Sequence, residues 1–300
     1  MLIIHVVGGL GNQLYCYAMY CLQKSLSKEV KLDIGDYEEG AREPEKRPLE
    51  LLELCKEKPK ICTKKERESL TDDSKAFFSR VKRKLVGQKA HIFQEKEEYD
   101  EEVFTLENVY MDGYWNCEKY YEKIIDQLQE KIEFPPSKNE QNRIYAKKIQ
   151  TENACAIHLR RSDYLDPSCI DRYRDICTSA YYNAALAYVE KLEENLTYYV
   201  FSDDIVYAKA YFQTRKNVTV VDWNQGKDSM YDCMLMSKCK YHICANSTFS
   251  MWGARLSVRE DKVMIRPLKH DNYQKQSPEE MKDQWKKWIL IDAQGKVYDQ

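Results

Sequence analysis

The sequence predicts an α/β protein with two domains, each built on a mostly parallel sheet. Short runs of β-branched residues alternate with helical stretches along the chain, which favours parallel strands covered by helices on both faces. The length of 300 residues exceeds that of one average domain. We therefore expect two modest domains with a cleft between them.

The first half opens with a strand, a glycine turn and a helix, the first unit of an α/β fold. The strand covers residues 2–7, the turn is Gly8-Gly-Leu-Gly, and the helix covers residues 12–26. We also predict a strand at 30–34, a strand from Val109 into an aromatic turn, and a helix at 118–132.

The second half repeats this alternation. We predict strands at 154–159, 198–201, 218–221, 242–245 and 263–265, with helices between them at 179–192, 205–212, 228–238 and 249–256. A stretch rich in Pro and Asn places the domain boundary between residues 135 and 152. The predicted domains are therefore 1–145 and 146–275, followed by a C-terminal helix and tail at 276–300 that starts at Ser277 and Pro278.

Composition argues against several classes of protein. Lys and Arg total 47 against 49 Asp and Glu, so we expect no nucleic-acid partner. The 11 cysteines lack zinc-ligand spacing, which favours reduced, mostly buried thiols. Without a signal peptide or a run of about 20 apolar residues, a cytoplasmic protein is expected. A basic stretch at 75–89 is either a solvated helix face or a peripheral contact with acidic lipid headgroups at a membrane surface or with an acidic polysaccharide.

The glycine turn is the first candidate site. Glycines let a ligand approach the backbone, and the following helix offers N–H groups to an anion, so Gly11 and Asn12 are candidate residues for binding an anionic ligand. The spacing differs from that of dinucleotide-binding motifs, and Asp33 meets their acidic position only loosely. A tight turn without a ligand is the alternative.

Basic side chains gather where the first strand of the second half ends. His158 and Arg160 stand two residues apart and face one side, at the carboxyl edge where open α/β sheets bind ligands. Together with Arg161 they suit a diphosphate, because guanidinium groups make paired, charge-assisted hydrogen bonds. The alternative is a structural ion pair between Arg161 and Asp163.

An acidic pair follows the next strand. Asp203 and Asp204 could hold a divalent cation, but their Asp-Asp-Ile sequence lacks the D-x-D arrangement of metal-using sugar transferases. Helix capping or a polar contact with a nucleoside is therefore preferred.

A polar turn follows a later strand. Asn246, Ser247 and Thr248 precede a helix that carries Phe249, and they could direct hydroxyl and backbone N–H groups at phosphate oxygens. N-capping by Ser247 or Thr248 is the alternative.

Four ordered blocks resemble the bacterial-type α-1,2-fucosyltransferases, glycosyltransferase family 11. Its motifs G-G-L-G-N-Q, G-Y-W-Q-S-E-K-Y-F, H-V-R-R-G-D-Y and N-S-T-F-S-W-W are similar to Gly8-Gly-Leu-Gly-Asn-Gln, Gly113-Tyr-Trp-Asn-Cys-Glu-Lys-Tyr-Tyr, His158-Leu-Arg-Arg-Ser-Asp-Tyr and Asn246-Ser-Thr-Phe-Ser-Met-Trp. Ser162 replaces the usual glycine, and Met251 replaces a tryptophan. Neither departure removes a charged group, so the expected donor contacts remain.

The resemblance implies a GT-B fold, two Rossmann-like domains facing each other across a cleft. It places GDP-fucose in the C-terminal domain, and acceptor and diphosphate opposite the N-terminal glycine turn. The more distant α-1,6- and protein O-fucosyltransferases share the H-x-R element, which implies that His158 and Arg160 meet the nucleotide. Their pattern puts a guanine-binding carboxylate at Asp232, for which a surface residue early in a helix is the alternative.

The resemblance also implies inverting transfer of fucose from GDP-β-L-fucose to the 2-hydroxyl of a terminal galactose in an oligosaccharide acceptor. Arg160 is the predicted stabiliser of the leaving diphosphate, and Asp163 is the candidate base. We expect no cofactor and no metal, because arginines and helix N-termini can neutralise the diphosphate. The rivals are a transferase with another donor or linkage, and a non-catalytic carbohydrate- or nucleotide-binding protein.

Overall fold

The computed structural model divides the chain into two α/β units, residues 1–133 and residues 134–300. It describes residues 1–39, 41, 46–73, 90–161 and 163–299, without the side chain of Asp163. The basic stretch predicted at 75–89, Ser162 and the carboxylate of Asp163 therefore lie outside the described part.

The first unit contains a four-stranded parallel sheet. Its strands are β1 (Leu2–His5), β2 (Val30–Asp33), β3 (Ile92–Gln94) and β4 (Val109–Asp112). They lie in the order β2-β1-β4-β3. The described helices are α1 (Leu10–Ser25), α2 (Leu51–Leu54), α3 (Lys64–Thr71) and α4 (Ile125–Lys131).

The second unit contains a seven-stranded sheet. Its strands are β5 (Asn153–Leu159), β6 (Leu196–Ser202), β7 (Val218–Val221), β8 (Tyr241–Ile243), β9 (Val263–Pro267), β10 (Ile289–Ile291) and β11 (Val297–Tyr298). They lie in the order β11-β10-β9-β8-β5-β6-β7, and β11 is antiparallel to β10 whereas the other pairs are parallel.

Helices cover both faces of this second sheet. They are α5 (Glu140–Thr151), α6 (Ile170–Tyr173), α7 (Ser179–Leu192), α8 (Ile205–Tyr211), α9 (Met230–Met236), α10 (Thr248–Arg255) and α11 (Pro278–Gln284). Alternate residues of β5 enter two different cores: Ile157 packs with residues of α7 and α8, and Ala156 packs with residues of α5 and α9. Burial on both faces explains why this strand is apolar almost throughout.

The predicted fold class, α/β with mostly parallel sheets in two units, is confirmed. The unit boundary lies earlier than the predicted 145/146, because the predicted linker contains α5. The Asn139 side chain caps this helix by accepting from the Gln141 N–H, and Ile149 anchors it in the core. The tail at 276–300 supplies β10 and β11 to the second sheet and so belongs to that unit.

Helix boundaries follow local capping. The predicted start at Ser277 is confirmed. Its side chain accepts from the Glu280 N–H, and the Glu280 carboxylate accepts from the Ser277 N–H, which forms a capping box. The helix predicted at 118–132 is interrupted, with a 3-10 turn at 118–121 before α4 begins at Ile125.

All 11 cysteines are free thiols, and most are buried. No helix within the described ranges is both long enough and apolar enough to cross a bilayer.

Candidate active site

The carboxyl ends of β5 and β6 bring the basic and acidic pairs together. The two strands run parallel with Leu159 opposite Ser202, so the residues that follow each strand are neighbours. Nη1 of Arg160 lies 3.1 Å from Oδ2 of Asp203, and the other oxygen of this carboxylate accepts from the Arg161 N–H at 2.9 Å. Asp203 therefore holds both the guanidinium of Arg160 and the backbone of the turn.

Arg161 has a parallel arrangement with the second acidic residue. Its Nε lies 3.4 Å from Oδ2 of Asp204, and its guanidinium stacks 3.7 Å from the ring centroid of Tyr207. Asp204 also caps α8, because its Oδ1 accepts from the Tyr207 N–H at 3.0 Å. The capping interpretation of this residue is thus confirmed, and the predicted nucleoside contact of Asp203 stays a prediction.

A metal site at Asp203 and Asp204 would need both carboxylates to leave their arginine partners. Within the described residues, no group of three or more His, Cys, Asp or Glu side chains could hold a metal ion. The expectation that activity is independent of metal stays a prediction.

His158 is buried at the end of β5, behind the arginines. Burial and the charge of Arg160 lower the pKa of its imidazole to about 3, so the ring is neutral near pH 7. Its ring centroid lies 6.0 Å from that of Phe249, and Nδ1 has no hydrogen-bond partner among the described residues. A neutral imidazole can still make a hydrogen bond to a nucleotide, and the predicted nucleotide contact of His158 stays a prediction.

The polar turn after β8 differs from the sequence prediction at its first residue. The Asn246 side chain is buried, donating from Nδ2 to the His270 carbonyl at 3.0 Å and accepting from the Cys177 thiol. Its own carbonyl accepts from the Tyr164 hydroxyl at 2.8 Å. The amide therefore fixes the loop from inside, and a phosphate contact through this side chain is not supported.

Ser247 is the N-cap of α10, yet its side chain makes no capping hydrogen bond, so the capping alternative for this residue is wrong. Thr248 is partly exposed and begins the helix, and Phe249 lies half-buried beside His158. The helix N-terminus thus presents backbone N–H groups at the carboxyl edge of the sheet, where an anion would be stabilised.

Asp232 lies in the first turn of α9 and is only partly exposed. Its Oδ1 accepts from Nδ2 of Asn224 at 2.8 Å. Burial raises the pKa of this carboxyl to about 7, although the Asn224 hydrogen bond opposes the shift. Asp232 is therefore a largely desolvated carboxyl group. Carboxyl groups at functional sites often have such surroundings.

In the first unit, the glycine turn has the geometry that its sequence predicts. Gly8 adopts a φ of +72°, and a Cβ there would lie 2.5 Å from Nδ2 of Asn12, so another residue would strain the backbone and displace the Asn12 side chain. Gly11 is buried in the first turn of α1, and Asn12 beside it is partly exposed.

Gln13 and Asp33, near this turn, make hydrogen bonds to other residues of the first unit. The Gln13 amide crosslinks the Gly8 and Pro48 carbonyls, at 2.9 and 2.8 Å. Asp33 accepts from the Tyr110 hydroxyl at 2.8 Å and from the Gly35 N–H at 2.9 Å. Asp33 is buried, and its loose match to a ribose-binding residue is not supported.

Sequence reasoning missed a cluster at the carboxyl edge of the first sheet. His5, the last residue of β1, lies between two carboxylates: Nδ1 is 2.9 Å from Asp112 and Nε2 is 2.8 Å from Asp36. Burial alone would lower the pKa of His5, but the hydrogen bonds and charges of the two aspartates outweigh it and raise this pKa. The signal was available, since parallel strands β1 and β4 end with His5 and Asp112 at one edge.

The turn after β4 is also held by a carboxylate. Trp115 adopts a φ of +57° although it is not glycine, and its side chain is completely buried. Oε2 of Glu95 accepts from the N–H groups of Tyr114 and Trp115, at 2.6 and 2.9 Å. This pair of bonds fixes the strained turn and leaves Tyr114 exposed.

The sequence pattern of glycosyl transferase family 11 matches residues 83–292, most of the chain. The protein therefore belongs to this family and is a glycosyltransferase.

Two curated relatives come from Escherichia coli. The O-antigen biosynthesis glycosyltransferase WbnK is 38% identical over 127 residues, and the match spans only 42% of this chain and 42% of that protein. An alpha-1,2-colitosyltransferase is 28% identical over 274 residues, 89% of this chain and 91% of that protein.

Among solved structures, the NodZ alpha-1,6-fucosyltransferase soaked with GDP-fucose is 14% identical, with a TM-score of 0.45 over 85% of this chain and 92% of that one. POFUT1 in complex with GDP-fucose is 13% identical, with a TM-score of 0.39 over 85% of this chain and 93% of that one. A likeness of this degree carries no information on substrate.

Proposed function

We propose that this glycosyltransferase transfers L-fucose from GDP-β-L-fucose to the 2-hydroxyl of a terminal galactose, with inversion to an α-1,2 linkage. The observation that carries the proposal is the oriented pair Arg160 and Arg161 at the carboxyl edge of β5, beside the N-terminus of α10. Support for the linkage comes from the alpha-1,2-colitosyltransferase that aligns with 89% of the chain.

In this reaction the acceptor oxygen attacks C1 of fucose from the face opposite the diphosphate. The C1–O bond to the diphosphate breaks through an oxocarbenium-like transition state, and GDP leaves with the electron pair. Arg160 offsets the charge that develops on the departing oxygen, and its position is set before reaction by Asp203. The N–H groups at Thr248 and Phe249 would share that charge.

The hydroxyl proton passes to a base during attack, and Asp163 is the candidate. Its backbone begins a 3-10 turn two residues after Arg161, beyond the carboxyl end of β5. His158 is a poor alternative, because a conjugate acid with a pKa of about 3 holds a proton weakly. An Asp163→Asn enzyme that keeps its turnover number would eliminate Asp163 as the base.

The test of the leaving-group role is Arg160→Ala. Loss of a preorganised donor of this kind costs roughly 10²- to 10³-fold in kcat, and Arg160→Lys should recover part of it by restoring charge without the planar fork. Arg215→Ala is the matched control, since Arg215 also pairs with a carboxylate, Glu190, and stacks on Tyr198. Near-normal transfer by Arg160→Ala would refute the assignment.

A second candidate donor is GDP-linked colitose, which the relative of 28% identity favours. Thermal shifts with GDP-fucose, GDP-mannose and UDP-galactose would show the nucleotide preference. Rates with GDP-fucose and GDP-colitose on a panel of β-galactosides, followed by linkage analysis of the products, would then decide between the two sugars. A preference for UDP-galactose would exclude both candidates.

A further inference from the structure

Two buried asparagines form a reciprocal amide pair in the second unit. Asn142 on α5 is completely buried, and Asn224, which follows β7, is 8% exposed. Nδ2 of Asn142 donates to Oδ1 of Asn224 at 2.7 Å, and Nδ2 of Asn224 donates back to Oδ1 of Asn142 at 2.9 Å. We call Asn142 and Asn224 the amide pair.

The amide pair is anchored at one end and reaches a carboxylate at the other. Nε1 of Trp223 donates to Oδ1 of Asn142 at 2.8 Å, and Nδ2 of Asn142 also donates to Oγ of Ser137 at 3.0 Å. The second N–H of Asn224 then donates to Oδ1 of Asp232 at 2.8 Å. The Trp223 donor identifies Oδ1 of Asn142 as the acceptor, and this orients both amides. Asn224 therefore directs its Nδ2 donor at Asp232.

The amide pair is fully hydrogen-bonded, as buried amides must be to avoid a free-energy cost, so its partners hold each amide in one orientation. An apolar contact would join α5 to the sheet but would orient no polar group. The network instead ends at a partly exposed carboxylate whose Oδ2 accepts no hydrogen bond from any described residue. One oxygen of Asp232 is therefore tethered by Asn224, and the other has no hydrogen-bond donor among the described residues.

We propose that the amide pair positions the Asp232 carboxylate for the N1–H and 2-amino edge of a guanine base, so that Asn142 and Asn224 set base selectivity as positioning residues. The proposal rests on the proposed function, because its GDP-linked donor supplies the guanine, and on the family resemblance, which implies that Asp232 is the guanine-binding carboxylate. A carboxylate accepts from both guanine donors when its plane is aligned with them, and a plane that is already fixed lowers the entropy cost of this paired contact.

The amide pair also favours the ionised form that this recognition requires. Burial raises the pKa of Asp232 to about 7, and the Asn224 donor pulls it down. Charged groups on the elements that contact α9 include Lys227 and Asp228 in the turn before it, Arg143 on α5 and Arg255 on α10. None of these four forms an ion pair with Asp232 within the described residues, so Asn224 is the group that stabilises its charge.

The experiment compares GDP with inosine 5′-diphosphate, which lacks the 2-amino group, by calorimetry. A hydrogen bond to a carboxylate predicts that the wild-type protein binds GDP roughly 10- to 100-fold more tightly. In Asn224→Ala and Asn142→Ala this ratio should fall to within about threefold while affinity for inosine diphosphate changes little. A general loss of structure would weaken both ligands together, so the ratio separates positioning from folding.

Two further variants keep the test decisive. Trp223→Phe replaces an alanine variant that fails to fold. It removes only the Nε1 donor to Asn142 and should lower the ratio of GDP affinity to inosine diphosphate affinity by a smaller factor. Asn139→Ala is the control, because it removes the cap of the same helix without touching the amide pair. In the wild type, GDP affinity should weaken as pH falls below about 7, and Asn224→Ala should move this midpoint upward.

The outcomes are distinguishable. If Asp232→Asn abolishes the GDP preference but the Asn142, Asn224 and Trp223 variants keep it, the amide pair has no positioning role and the proposed function stands. If the wild type shows no preference for GDP over inosine diphosphate, the guanine assignment fails and this inference fails with it.

Discussion

Replacement of Asp232 by Asn should make the protein more stable and, at the same time, a weaker nucleotide binder. An aspartate carboxyl ordinarily has a pKa of 3.8, whereas the pKa of Asp232 in the folded protein is about 7. Because the folded pKa is the higher one, the native state binds more protons than the unfolded state between these values, so the free energy of unfolding falls as pH rises through them. Above about pH 7 the native state bears the full cost of a desolvated charge.

The magnitude follows from the shift. About three pKa units at about 1.36 kcal/mol each give a ceiling of about 4 kcal/mol, and partial exposure of the side chain reduces the expected gain to about 1–2 kcal/mol. For a unit of this size that corresponds to a rise in melting temperature of roughly 2–8 °C. Asn keeps an oxygen for the Asn224 donor, so the substitution removes the charge without removing the acceptor.

The assay is thermal unfolding of Asp232→Asn and wild type at about pH 5 and about pH 8, with GDP titrations at the higher pH. The gain in melting temperature should be larger at the higher pH, and GDP affinity should fall. Asp228→Asn, in the exposed turn just before α9, is the control for loss of one negative charge. An unchanged melting temperature at about pH 8, or an equal rise at both pH values, would contradict the reasoning.

Two predictions concern the first unit. His5 has a raised pKa, so its ionic contribution is fully present below its unfolded value of 6.5 and is lost as pH rises through the higher folded value. Asp112→Asn should therefore lower the free energy of unfolding by about 0.5–1 kcal/mol near pH 6 and by less near pH 9. Urea denaturation at both pH values measures this difference. Equal losses at the two pH values would contradict an ionic pairing of His5 with Asp112. Glu95→Ala should cost about 2 kcal/mol because the strained turn at Trp115 loses two hydrogen bonds, whereas Glu95→Gln should cost much less, since an amide oxygen accepts the same bonds. Similar denaturation midpoints for the two Glu95 variants would show that the carboxylate does not fix this turn.

Much of the fold follows from local sequence. Buried parallel strands such as β5 and β6 are short, mostly apolar runs, and the helix at Ser179–Leu192 has the predicted bounds because Thr178 caps its start. The predicted linker contains a helix, because the prolines at 135 and 136 precede the N-cap Asn139 and leave α5 from Glu140 onwards uninterrupted. Neither β10 nor β11 was predicted, because three- and two-residue strands form only when an existing sheet edge accepts them.

The site was predictable where chemistry and chain position coincide. His158 and Arg160 lie at the predicted strand end, and only the register of β5 with β6 shows that Asp203 is the partner of Arg160. The amide pair was not predictable, because Asn142 and Asn224 are 82 residues apart and isolated asparagines carry no spacing signal. The inward-facing Asn246 was missed because a motif gives residue identity but not side-chain direction.

Each arginine at the carboxyl edge of β5 has a carboxylate counter-ion within the protein, Asp203 for Arg160 and Asp204 for Arg161. Under the proposed function, an arriving diphosphate would displace or share these partners and would gain less than from bare guanidinium groups. The same competition would favour departure of the spent nucleotide, since Asp203 and Asp204 could pair with the arginines again as it leaves. We therefore expect weak product inhibition, together with weaker ground-state binding of the donor.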